Sequence, residues 1–433
     1  MRKFDKNSVF SNVSLKATEW IRKQYLRAQK GFRFSPQAPV CLIGSCCAAL
    51  ASELLNDLSN WPSEDIETWT NYIQSFQRDD GWFEDAYLKP VKGNALDSDY
   101  MRGHATFLAV MALDALGYKP IRPLEFLNKW RDDERVYKWI DRLDWTNPWR
   151  ESNWVEWVGY LLLADANLSV DNVPLPKEQY PAGFGGLMQW LEDHQDSTTG
   201  FWGDPPYHGL ERILHQMAAA YHHYVFYYAT GHPIRYQDRI IDHTITLQQP
   251  DGLFFPGRVG GGPCEDLDAI DVLANMHRLT DYRSAGIKQA LTRALFALLS
   301  NQRADGAFVY AFDGNNTNWY YTPQLIWALL KPCYPPGPRT RIQTLHRYIK
   351  FGNSGAQQYY AGCRELPFRM KGGDMFSQWF RPLGIAIAAC TLGADSSPIW
   401  WPFKFRKQIT QGWFPGVIDL EVNKMECRER ING

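Results

Sequence analysis

Gln77-Arg78-Asp79-Asp80-Gly81-Trp82-Phe83 is one copy of a pattern, Gln-x-x-x-Gly-x-Phe, that recurs along the chain. The same spacing returns at Gln248, Gly252 and Phe254, at Gln302, Gly306 and Phe308, and at Gln408, Gly412 and Phe414. A looser copy runs through Gln195, Gly200, Phe201 and Trp202. In each copy the Gln can reach backbone groups left unpaired at a helix end. The Gly permits the left-handed turn that stops the helix, and the aromatic can fold back onto that end as a plug. A single copy is an ordinary helix stop. Repeated copies indicate one supersecondary unit used many times, with the apolar faces of successive units buried on each other.

Between these loops lie further stretches with apolar residues at three-to-four spacing, at 105–116, 154–164, 210–230, 267–279, 324–330 and 380–392. Several are apolar almost all round, which suits a helix buried on every side. Others, such as 66–76 and 287–300, keep a polar face. Two helix types therefore alternate, an inner and an outer, in about six pairs, the number that closes a ring of repeats. The expected fold is all-α: a single α/α toroid spanning 1–433, with 418–433 as a charged C-terminal tail. No stretch rich in Ser, Pro or charge divides the chain. The segment from Cys333 to Pro338 is short enough for one inter-helix turn.

Of the 433 residues, 45% are hydrophobic and 15% aromatic, including 18 Trp and 22 Tyr. That supply suits an aromatic-lined cavity. Net charge is −1, so no global field favours nucleic acid. The eight Cys form no CxxC pair, which argues against a zinc knuckle. The N-terminus lacks a secretory apolar core, and the apolar stretch 40–55 is too short to span a membrane. A soluble cytoplasmic setting without a transmembrane segment is expected.

In a toroid the loops entering the inner helices open on one face, where a site is expected. The richest such loop is Gly260-Gly261-Gly262-Pro263-Cys264-Glu265-Asp266-Leu267-Asp268-Ala269-Ile270-Asp271. Helix capping accounts for one or two of its carboxylates. Crowding raises the pKa of the others, so that one can stay protonated and act as an acid. The three glycines are expected to let a ligand approach closely. Glu265, Asp266, Asp268 and Asp271 are therefore the candidate catalytic residues. Tyr207, His208, Glu211 and His215 form a second cluster, matching no metal motif, whose reading as a structural hydrogen-bond network is nearly as good. Trp319 and Tyr320 would supply stacking rings, and Asp374, Trp379 and Arg381 a third helix start. Asp79 and Asp80 look like a metal motif, but they fall in a repeat loop and are expected to be structural. Later His222 and His223 read as surface or packing residues.

The repeat resembles the QW motif of class II terpene cyclases and the related prenyltransferase repeats, over most of the chain. Arg293, Ala294 and Leu298 precede Gln302 at the offsets of that family, as Tyr72 and Ile73 precede Gln77 and Trp190 and Leu191 precede Gln195. Asp266-Leu267-Asp268-Ala269 resembles its DxDD motif, with Ala269 replacing the last Asp. The resemblance implies that Asp268 protonates an alkene or epoxide beside Asp266, starting cyclisation of an isoprenoid. Mg²⁺ would enter only with a diphosphate substrate; the zinc-ligand pattern of the prenyltransferases is not recognisable. Those cyclases usually enclose their cavity between two helical domains, and this chain has room for one. Glycan hydrolases, lyases and epimerases use the same single toroid, so an oligosaccharide substrate is the alternative, and a non-catalytic binding scaffold a third.

Overall fold

The computed structural model describes residues 6–91, 96–256, 258, 260–311, 357–393 and 401–416. Helices dominate: α1 (Lys6–Lys23), α2 (Leu42–Leu54), α3 (Ser63–Gln74), α4 (Ser98–Ala115), α5 (Asp133–Asp141), α6 (Pro148–Asp165), α7 (Phe184–His194), α8 (Gly209–Thr230), α9 (Gln237–Thr246), α10 (Pro263–Leu279), α11 (Ser284–Ser300) and α12 (Met375–Thr391). Two short antiparallel hairpins pair β1 (Tyr25–Leu26) with β2 (Gly31–Phe32) and β3 (Gln357–Tyr359) with β4 (Pro367–Arg369).

The even-numbered helices form a closed ring, with α2, α4, α6, α8, α10 and α12 each packed on the next and α12 packed back on α2. The odd-numbered helices dress the outside: α3 touches α2 and α4, α9 touches α8 and α10, and α11 touches α10 and α12. The chain is an all-α toroid. Burial follows the pattern expected of the two helix types. In α12 every residue from Met375 to Cys390 is buried, whereas α3 buries only Asp65, Trp69, Thr70 and Ile73. The inner helix α2, rich in small residues, belongs to this buried class.

The repeat loops stitch neighbouring outer elements together. The Gln amide donates twice, once to the carbonyl of its own loop Gly and once to the next outer element. Gln77 Nε2 reaches Gly81 at 3.2 Å and Arg122 at 2.9 Å, and Gln248 Nε2 reaches Gly252 at 2.9 Å and Ala290 at 2.8 Å. Gln302 Nε2 reaches Gly306 at 3.2 Å and Val13 of α1 at 2.9 Å, so the third copy joins the end of the described ring to its beginning. The loop carboxylates cap their own turns: Asp80, Asp251 and Asp305 accept from the amides of Trp82, Leu253 and Ala307. Phe83, Phe254 and Phe308 are fully buried plugs.

The copy at Gln408 departs from this pattern. No helix among the described residues runs into it, and its amide donates to Asp114 Oδ1 at 2.8 Å. It lies in the segment 401–416, which crosses the C-terminal ends of the inner helices. Arg406 there pairs with Glu53 of α2 at 2.6 Å and Asp114 of α4 at 3.0 Å, and Gln411 donates to Glu156 of α6 at 2.9 Å. A cation at two helix C-termini also complements their dipoles. This segment floors the ring at the end opposite the loops that enter its helices. The stretch 324–330 and the tail 418–433 lie outside the described residues. No described helix is long and apolar enough to cross a membrane.

Candidate active site

The inner helices α4, α6, α10 and α12, with His222 of α8, surround a cavity of about 290 Å³. Its walls are Tyr100, His104 and Phe107 of α4, Trp149, Asn153 and Trp157 of α6, Glu265 and Asp268 of α10, and Phe376, Trp379 and Phe380 of α12. The β3–β4 hairpin covers it with Gln358, Tyr359, Tyr360, Ala361 and Phe368, beside Tyr310 and Arg258. His222 of α8 and Gln411 of the floor segment complete it. The aromatics brace each other: Phe376 stacks on Phe380 with ring centres 4.1 Å apart, and Trp157 meets Tyr100 edge-on at 4.8 Å.

Asp268 stands out among the wall residues. It is 1% exposed, and its Oδ2 has no hydrogen-bond partner among the described residues. Burial pushes its pKa well above the ordinary carboxyl value, and the nearby carboxyls of Glu265, Glu156, Asp271 and Asp266 push it further. Asp268 therefore holds its proton more firmly than an ordinary carboxyl, beside a cavity walled by rings.

Asp266 has a different environment. Its Oδ2 meets Arg381 Nη1 at 2.5 Å and accepts from the Gly262 amide at 3.0 Å, while its Oδ1 accepts from Phe254 at 2.6 Å. Burial raises its pKa to about 6, with Arg381 opposing the rise. It does not border the cavity. Arg381 is likewise spent inside the fold, donating also to the carbonyls of Gly260 at 2.9 Å and Tyr310 at 2.6 Å. Together the pair ties the glycine loop, the repeat loop at Phe254 and α12 to the start of α10. The glycines serve the chain rather than a ligand. A Cβ on Gly261 would sit 2.0 Å from Asp266 Oδ2, and one on Gly262 would sit 2.1 Å from Glu265 Oε2. The loop must lack side chains so that the carboxylates can fold back against it.

Glu265 borders the cavity, and its Oε2 has no hydrogen-bond partner among the described residues. Asp271 is buried behind the wall, bonded to Asn275 Nδ2 at 3.1 Å, and burial lifts its pKa to about 7. Asp374 caps α12 by accepting from the Ser377 amide at 2.8 Å and from its hydroxyl at 2.7 Å. Trp379 is buried in the cavity wall.

Tyr207, His208, Glu211 and His215 sit at the start of α8 and do not border this cavity. Tyr207 and His208 are exposed, and Tyr207 lies against His215 with ring centres 4.5 Å apart. α8 contributes His222, well inside the helix, to the cavity lining and none of these four residues. Trp319 and Tyr320 lie outside the described residues. Among the described residues no three His, Cys, Asp or Glu side chains converge as a metal-binding group.

Several wall residues escape a reading of the sequence. His222, read as packing or surface, borders the cavity from deep in α8. Tyr360 comes from a hairpin no repeat announces, and its hydroxyl lies 2.6 Å from His104 Nε2. Glu156 and Gln411 meet across 255 residues of sequence. The usable signal was polarity within apolar helices: Glu156, His104 and His222 interrupt stretches that are otherwise buried.

No protein-family model matches the chain, and no curated relative does. Among solved structures, the chain is similar to the type II terpene cyclase MstE from Scytonema. Against its complex with the substrate geranylgeranyl dihydroxybenzoate, identity is 12% over 89% of this chain and 99% of that one, with a TM-score of 0.45. Against its complex with the product merosterolic acid A, identity is 14% over 90% and 100%, with a TM-score of 0.45. Against the apo form, identity is 13% over 88% and 99%, with a TM-score of 0.43.

Proposed function

We propose that the chain is a terpene-cyclase-like enzyme, in which Asp268 starts the cyclisation of an isoprenoid by protonating an alkene or epoxide. The observation that carries this reading is the buried Asp268 carboxyl, its pKa pushed up by burial and its Oδ2 without a hydrogen-bond partner among the described residues, at an aromatic-walled cavity. A buried carboxyl without a partner costs stability and returns nothing structural, which speaks against a mere scaffold. Protonation of a C=C by Asp268 leaves a carbocation and a carboxylate. Trp157, Trp379, Phe376 and Phe380 present ring systems that stabilise such cations without reacting with them. The apolar walls exclude water that would quench the cation early.

In this reading the ion pair of Asp266 with Arg381 is a positioning device that fixes the backbone carrying Asp268. An oligosaccharide would need polar partners for each hydroxyl. The walls offer mostly ring faces, so they favour a hydrocarbon chain over a glycan.

The test is direct. Wild type and Asp268→Asn are incubated with geranyl, farnesyl and geranylgeranyl diphosphates and with the corresponding alcohols, and products are separated by gas chromatography with mass detection. Cyclic products from wild type and a loss of about 10²-fold or more in the variant are expected, the scale of a general acid. Equal turnover by the two proteins would overturn the assignment of Asp268.

A further inference from the structure

Resting on the reading of Asp268 as the initiating acid, we propose that His222 is the base that ends the reaction, taking a proton from the last carbocation through Nε2. A cyclisation begun by protonation stops when the cation loses a proton or captures a nucleophile. In an apolar cavity the first outcome needs a lone pair held by the protein. His222 borders the same cavity as Asp268, from the neighbouring inner helix.

Its tautomer is coupled to one neighbour. Ser152 Oγ donates to the Trp149 carbonyl at 3.1 Å and lies 2.8 Å from His222 Nδ1. A hydroxyl has a single proton to give, and we assign it to the Trp149 carbonyl, which makes Nδ1 the donor to Oγ and leaves Nε2 its lone pair. Nε2 is then the ring nitrogen left for the cavity. The nearest carboxyl oxygen, Glu156 Oε2, stands 3.9 Å from it and is held by Gln411. Burial lowers the pKa of the ring to about 3, so it waits neutral. The other wall histidine, His104, has its Nε2 engaged by the Tyr360 hydroxyl.

The step balances. The C–H bond beside the cationic carbon breaks, its electron pair becomes the new C=C, and the proton binds Nε2. Asp268 has already given one proton to the substrate, so transfer of the imidazolium proton back to its carboxylate, after product leaves, restores the starting enzyme. The net change in the substrate is an isomerisation, with no oxidant or reductant.

His222→Phe and His222→Gln are compared with wild type and Asp268→Asn by consumption of the substrate that wild type converts and by product distribution. Protonation precedes deprotonation, so with enzyme in excess over substrate, where Asp268 need not be recharged, the His222 variants should still consume substrate while Asp268→Asn does not. The wild-type alkene should fall by about tenfold or more relative to water-captured alcohols or isomeric alkenes. An unchanged product distribution overturns the proposal. So does single-turnover consumption as low as in Asp268→Asn, which would place His222 in initiation. A second measurement needs no turnover: ¹⁵N spectra of histidine-labelled wild type at pH 7 should show a neutral His222 with a protonated Nδ1 and a bare Nε2. The opposite tautomer, or an imidazolium, overturns the proposal. Wild type that cyclises no isoprenoid removes the functional reading and this one with it. An active wild type with an inactive Asp268→Asn and indifferent His222 variants removes this one alone.

Discussion

In the proposed reading, Asp268 sets the chemistry and the stability of the site against each other. Its pKa is raised in the folded protein by burial first and by neighbouring carboxyls second. A carboxyl with a raised folded pKa holds its proton while the unfolded chain releases it. The native state therefore loses stability as pH rises above the unfolded value, by about 1.4 kcal/mol per pH unit until the folded pKa is reached. Asp268→Asn removes that penalty. We expect the variant and wild type to melt together near pH 4 and the variant to melt increasingly higher towards pH 8, as read by thermal denaturation across that range. A gap that stayed constant with pH would mean that Asp268 ionises normally in the fold. Asp266 offers the contrast: Arg381 at 2.5 Å opposes the rise and burial wins only to about 6. Spacing alone made the two residues look like partners in catalysis, because the sequence shows one acidic run and not which carboxyl receives three donors.

The repeat loop is the element that builds the ring, and its glycine is the residue with least freedom. Gly306 has φ +94°, and a Cβ there would sit 2.0 Å from the Lys16 carbonyl oxygen. Gly117 has φ +82° but nothing within 4 Å of the same added atom. Gly117→Ala should therefore cost only the backbone strain of a left-handed residue, about 1–3 kcal/mol. Gly306→Ala adds a clash between α1 and the loop that joins it to the end of the described ring, and should cost at least about 2 kcal/mol more. Urea unfolding of both variants checks the difference, and equal losses would show that the close approach is not maintained in solution. These loops were legible before any coordinates because Gln, Gly and Phe each do one backbone job at a fixed offset. The β3–β4 hairpin was not legible, since strands of three residues with no alternating pattern leave no period to read. The apparent copy at Gln408 shows the converse: its three residues recur, but without a described helix running into it the Gln serves Asp114 instead.

At the scale of the whole molecule, the ring depends on side chains far apart in sequence. The segment 401–416 binds the C-terminal ends of α2 and α4 and, through Gln411, the middle of α6, and thereby floors the cavity. Its anchor is Arg406, 5% exposed, which pairs with Glu53 and Asp114 and donates to the Met111 carbonyl at 3.2 Å. Composition and periodicity gave no hint of this, because the partners are separated by 353 and 292 residues. Arg406→Leu leaves the largely buried Glu53 with Lys404 as its remaining nearby cation and without its ion pair, and breaking a buried pair from one side costs about 3–5 kcal/mol. The loss should be smaller at pH 5 than at pH 8. Burial already pushes the pKa of Glu53 up, and without Arg406 it rises further, so the orphaned carboxyl escapes its charge by protonation at the lower pH. If the floor and ring unfold as one unit, the urea midpoint falls while the slope of the transition stays as in wild type. A biphasic transition would instead mean that the floor releases first. In that case the cavity opens from below before the helices part, and its closure is a property of the segment rather than of the toroid.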